Sequence, residues 1–160
     1  AIFVDMKTEF NALYRGYVNE AVRLSLLGVM AIVLLLAFSL RSFARLLRVL
    51  LALALTVAGV IALLHFAGER LHLLHLVGML LIVAVGSNYA LFFDRSAGAD
   101  RLDAVTLMSM GVATLTTAIG FGTLALSSVP VLYAIGVTVG PGALLGLFLS
   151  AVLVYPAGNR

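Results

Sequence analysis

The chain has 160 residues, 63% hydrophobic and 11% charged, with mean hydropathy +1.18 and formal net charge +3. A soluble domain carries about a quarter of its residues charged, so a single water-soluble core is excluded. The absence of cysteine removes disulfides, thiolate catalysis and thiolate metal sites, and the ten Lys and Arg residues gather at the ends of apolar runs, where they suit topology and lipid headgroups rather than nucleic acid.

The chain begins "AIFVDMK", without an initiator Met or a signal peptide, and stops at "YPAGNR" directly after an apolar run. Both ends lead us to expect a section of a longer polypeptide. Residues 1–20 are the only long polar stretch, and "DMKTEFNALYRGYVNEAVRLS", residues 5–25, has mixed three- and four-residue apolar spacing that predicts an amphipathic helix over 1–22 outside the membrane. It runs without a break into the five-helix region, 23–156. The predicted spans there are 24–40, 46–66, 73–93, 104–126 and 131–155, each long enough for a hydrocarbon core of about 30 Å. Residues 157–160 are a short tail. The expected fold is all-α and polytopic.

Short loops separate the spans. "RSFARLLR" follows the first, and "DRSAGADRLDA" follows the third, with a turn at Ala97–Gly98 and Asp103 placed to cap the next helix. "SSVP" separates the last two. Five spans put Arg41, Arg45, Arg48, Arg95, Arg101 and Arg160 on one side and Lys7, Arg15, Arg23 and Arg70 on the other. The positive-inside rule assigns the first group to the cytoplasm. Ala118 with Gly122, Gly136 with Gly140, and Gly142 with Gly146 have small-xxx-small spacing, which allows close helix approach. Pro141 removes a backbone hydrogen bond in mid-span and predicts a hinge. "GPGALLG" is no phosphate loop, because it lies at membrane depth with no strand before it.

The third span carries "AVGSNYALFFDR", residues 84–95. Asn88 lies roughly 5 Å past its midpoint by helical rise, and an amide in hydrocarbon costs several kcal/mol unpartnered, so it should face protein or water. Tyr89 stands about 100° round the helix and could join the same polar site. Asp94 is about 240° round and at the membrane edge: a salt-bridged helix end, or the entrance to a proton path. The fourth span, antiparallel, places Thr114 at the depth of Asn88 with Thr117 one turn on, while Thr116 points elsewhere; this predicts a polar seam, although each threonine could instead bond its own backbone.

Glu69, His72 and His75, with His65 one turn earlier, have spacing that could bind zinc, but no further ligand is obvious and no metal site is assigned. Ser87 has no His at matching depth, so an intramembrane hydrolase is disfavoured. No cofactor motif is present.

"GSNYALFFDR" and "TLTTAIGFGTLALSSVPVLYAIGVTVGPGALLGLFLSAVLVYPA" together resemble the membrane domain of the resistance-nodulation-division (RND) superfamily, in its MMPL-type exporter branch. The resemblance covers essentially the whole chain. It implies the C-terminal five-helix block of a protein built from two repeats, the other repeat being its partner, and proton-driven export of lipids or other hydrophobic molecules across a bacterial inner membrane. An Asp-Tyr pair in the corresponding helix of such transporters takes part in a proton relay. Here Asn88 stands at the Asp position and Tyr89 at the Tyr position, and Asn cannot titrate. The implied carboxylate then lies in the other repeat. A sterol-sensing-like lipid-binding module, a protein-translocation auxiliary of the same superfamily and a channel are the alternatives. The sequence leaves the cargo open, and homo-oligomerisation too.

Overall fold

A computed structural model describes residues 6–96 and 104–154, with side chains from Arg15 onward. It contains α1 (Met6–Leu40), α2 (Phe43–Phe66), α3 (Leu73–Ser96), α4 (Ala104–Leu124) and α5 (Pro130–Leu153). All five are long and apolar enough to cross a membrane, α1 over Arg15–Leu40. The polar N-terminal segment and the first span form one 35-residue helix, about 52 Å long at 1.5 Å per residue and longer than a hydrocarbon core. The turn at Ala97–Gly98, the Asp103 cap, Arg101 and Arg160 lie outside the described residues.

Local chemistry sets the breaks. Between α1 and α2 the chain reverses over two residues, Arg41 in the left-handed region (φ 47) and Ser42 extended (φ −141, ψ 123). Gly68 (φ 77) follows α2 and supplies the conformation that a side chain would resist. His75 caps α3, its Nδ1 accepting the His72 backbone N–H at 3.2 Å. At the start of α5, Pro130 occupies the first turn, where a missing N–H costs nothing.

The central helix is α5, which packs on α2, α3 and α4, while α1 rests on α2 and α3. Its small residues explain that position, because they fall on two sides. A Cβ at Gly136 would lie 2.3 Å from Ala125 N and 2.7 Å from Phe121 O, and one at Gly140 would lie 3.5 Å from Ala118 O, all on the α4 side. Across the helix, Thr138, Gly142 and Gly146 meet Gly78, Ile82 and Gly86 of α3 in rising order. The two helices therefore run parallel in register, one turn of each against one turn of the other. Helix α5 continues through Pro141 without interruption.

Two apolar clusters sit toward the two ends of the bundle. Val60, Leu64, Ile82 and Val139 form one, while Leu36, Leu40, Val49, Ala52, Leu53, Ala90, Phe93 and Val154 form the other. Between them is a waist of small residues: a Cβ at Gly146 would lie 3.6 Å from Thr56 Cγ2 and 3.8 Å from Gly86 Cα. Thr56 turns its hydroxyl onto Ala52 O at 2.8 Å, which leaves its methyl for the contact. Close backbone approach there substitutes dispersion contacts for the hydrophobic driving force that lipid cannot supply.

Candidate functional site

Asn88 is exposed on the surface of the bundle and makes no hydrogen bond among the described residues. It borders an open groove of about 410 Å³ with Leu91, Phe92, Arg95 and Ser96. The groove follows one face of α3, since 88, 91, 92, 95 and 96 recur at helical spacing. Tyr89, one position on, is half-buried and turns inward, with Cδ2 3.8 Å from a Cβ position at Gly146. The 100° step between consecutive residues thus separates the amide from the ring, one on an open face and the other against α5.

The threonines of α4 do not join them. Helix α5 lies between α3 and α4, which share no extended packing, so the expected seam of Asn88 and Tyr89 with Thr114 and Thr117 is not formed within this chain. Thr114 is fully buried and donates to Met110 O at 2.8 Å; Thr117 and Thr116 donate to Ala113 O and Val112 O. Each hydroxyl is satisfied within its own helix, as is that of Ser87 on Ala84 O at 2.7 Å. Antiparallel order does not fix the lateral order of the helices, which the two-sided glycines of α5 decide.

Asp94 is a salt-bridged helix end. Its carboxylate is 8% exposed and lies 3.8 Å from Arg45 Nη1 of α2, and the neighbouring Arg95 Nη2 donates to Ser39 Oγ of α1 at 3.4 Å. These contacts tie the ends of three helices together.

At the opposite end, Glu69 Oε1 accepts the Tyr133 hydroxyl, which joins the α2–α3 turn to α5. Removing that hydroxyl in Tyr133→Phe is expected to lower the unfolding temperature, measured by thermal unfolding in detergent. His75 is buried, with Nε2 unpartnered among the described residues. No three His, Cys, Asp or Glu side chains among those residues are grouped to hold a metal, and His75 Nδ1 serves as a helix cap. Sequence spacing did not disclose that role, because the cap depends on the backbone at His72.

An apolar groove of about 550 Å³ opens between α1, α2 and α3, lined by Val29, Ile32, Leu50, Leu53, Val57 and Val83 among others.

Five apolar helices with a polar amide on an open face define a multi-pass, all-helical membrane protein. No family model, curated protein or solved structure matches the chain.

Proposed function

We propose that this chain is the non-titrating half of a proton-driven RND transporter of the MMPL type, which exports lipids or other hydrophobic molecules across a bacterial inner membrane. The carrying observation is Asn88, a polar group near mid-depth on an exposed face without a partner in its own bundle. An unsatisfied amide in hydrocarbon costs several kcal/mol, so a protein or water-filled surface completes that face. The N-terminal repeat is the partner in this reading and supplies the carboxylate that carries the proton, with Asn88 and Tyr89 as its hydrogen-bonding neighbours. The groove between α1, α2 and α3 has the lining a hydrophobic cargo needs. That groove would serve a sterol-sensing-like module equally well, which makes lipid sensing the second reading.

The complete protein reconstituted in liposomes under an imposed pH gradient separates them. Proton flux that rises with a hydrophobic cargo supports transport. Lipid binding without proton flux supports sensing, and conductance indifferent to the gradient indicates a channel. Asp94 enters the same assay: Asp94→Asn is expected to leave proton coupling in place and to lower stability by about 1 kcal/mol, since its partner Arg45 is largely exposed and solvent screens the pair. Lost coupling in that variant would make Asp94 the proton carrier.

A further inference from the structure

The end of the bundle where α1 closes, α2 opens and α3 closes holds Arg41, Arg45, Arg48 and Arg95, against Asp94 as the carboxylate among the described residues. Among the described residues the opposite end is nearly balanced, with Arg15, Arg23 and Arg70 against Glu20 and Glu69. We propose that the four-arginine corner is a binding site for the headgroup of an anionic phospholipid, held through its phosphodiester in the leaflet at that end.

The arginines come from two helices, α2 and α3, and from the α1–α2 turn, and observed contacts bring them to one end of the bundle. Arg45 reaches Asp94 of α3, and Arg95 reaches Ser39 of α1, two residues before Arg41. Arg45 and Arg48, three residues apart, share one face in the first turns of α2, and Arg41 stands in the turn just before that helix. Arg48 enters the apolar part of the helix but folds back, its Nε donating to Ala44 O at 3.3 Å, which draws the guanidinium toward the boundary. Arg41 keeps a left-handed backbone (φ 47) that glycine would adopt without strain.

The donors are mostly free. A guanidinium carries five N–H donors, and among the described residues this corner engages one group each of Arg45, Arg48 and Arg95, the first at the long distance of 3.8 Å. A phosphodiester offers what is missing: anionic oxygens in the planar, two-pronged geometry that guanidinium matches. Phe43, Leu47 and Leu51, all more than half exposed, form an apolar stripe of α2 that starts at the same end of the bundle, and Leu51 stands one turn beyond Arg48 on its side of the helix. That face takes the acyl chains, which favours a membrane lipid over a free anion.

The inference is independent of the transport reading and is tested by binding. The full chain in detergent micelles is titrated with phosphatidylglycerol, phosphatidylcholine or inorganic phosphate, and lipid adducts are counted by native mass spectrometry. Phosphatidylglycerol should bind more tightly than phosphatidylcholine, and the combined R41Q/R48Q/R95Q variant, which keeps the Arg45–Asp94 pair, should lower that affinity roughly a hundredfold. The matched R15Q/R23Q/R70Q variant should keep it, with circular dichroism confirming helix content in both. Equal affinity for the two lipids, equal loss in both variants, or displacement of the lipid by millimolar inorganic phosphate would each overturn the proposal.

Discussion

Gly136→Ala is expected to destabilise the bundle by about 3 kcal/mol or more, the upper end of the range for overpacked interiors. The methyl would stand 2.3 Å from Ala125 N, 2.7 Å from Phe121 O and 2.8 Å from Leu124 C. All three are backbone atoms at the end of α4 and the turn that follows, so no rotamer change relieves the overlap. The hairpin itself has to open. Ala125, Leu126 and Ser127 donate their backbone N–H groups to Gly122, Thr123 and Leu124 in that turn, and displacing it strains these bonds.

Gly120→Ala is the matched comparison. A Cβ there meets nothing within 4 Å, and in a helix interior Ala is favoured over Gly by up to about 1 kcal/mol. The two substitutions are chemically identical and should differ in sign. Chemical unfolding of the purified variants in detergent checks this, and equal stability would mean that α4 and α5 do not pack as closely as the Gly136 contacts require. At Gly142 the overlap is with Ile82 Cδ1 at 2.3 Å and Cγ1 at 2.6 Å, part of a side chain that can turn. Gly142→Ala should therefore cost less than Gly136→Ala.

These glycines mark how far the sequence could be read. Apolar run length fixed the helices, because crossing a bilayer imposes a number of residues that composition reveals directly. The boundaries agree to within three residues for α2 to α5. Small-xxx-small spacing identified Gly136 with Gly140 and Gly142 with Gly146 as close-packing pairs. It could not say that the pairs address different neighbours, since that follows from the step between 140 and 142, about 200° round the helix, together with which helix stands on each side. Gly78 and Gly86 of α3 stand outside those pairs, yet they meet the α5 stripe. A comparison of four-residue steps between spans would have paired 78, 82 and 86 with 138, 142 and 146. The α3–α4 seam failed for the same reason. Depth is encoded in one dimension, whereas lateral order depends on packing that several arrangements of five spans satisfy equally at the level of pattern.

Asn88→Leu is expected to leave the stability of this chain unchanged or slightly raised, and to abolish proton-coupled transport in the complete protein. The first half follows from the structure. Asn88 is exposed and bonds to nothing described, so its removal breaks no contact in the bundle and replaces an unsatisfied amide with an apolar side chain at membrane depth. The second half follows from the proposed role. If Asn88 donates to or accepts from a carboxylate of the other repeat, leucine leaves that group buried without its partner and shifts its protonation toward the neutral form. Asn88→Asp sharpens the test, because a second carboxylate at the same place raises the proton affinity of the pair and should move the pH profile of transport upward. The combination distinguishes mechanism from folding, since unfolding in detergent and proton flux in liposomes are separate readouts. Wild-type flux in Asn88→Leu would remove Asn88 from the proton path, and with it the reading of this chain as the non-titrating side of a relay.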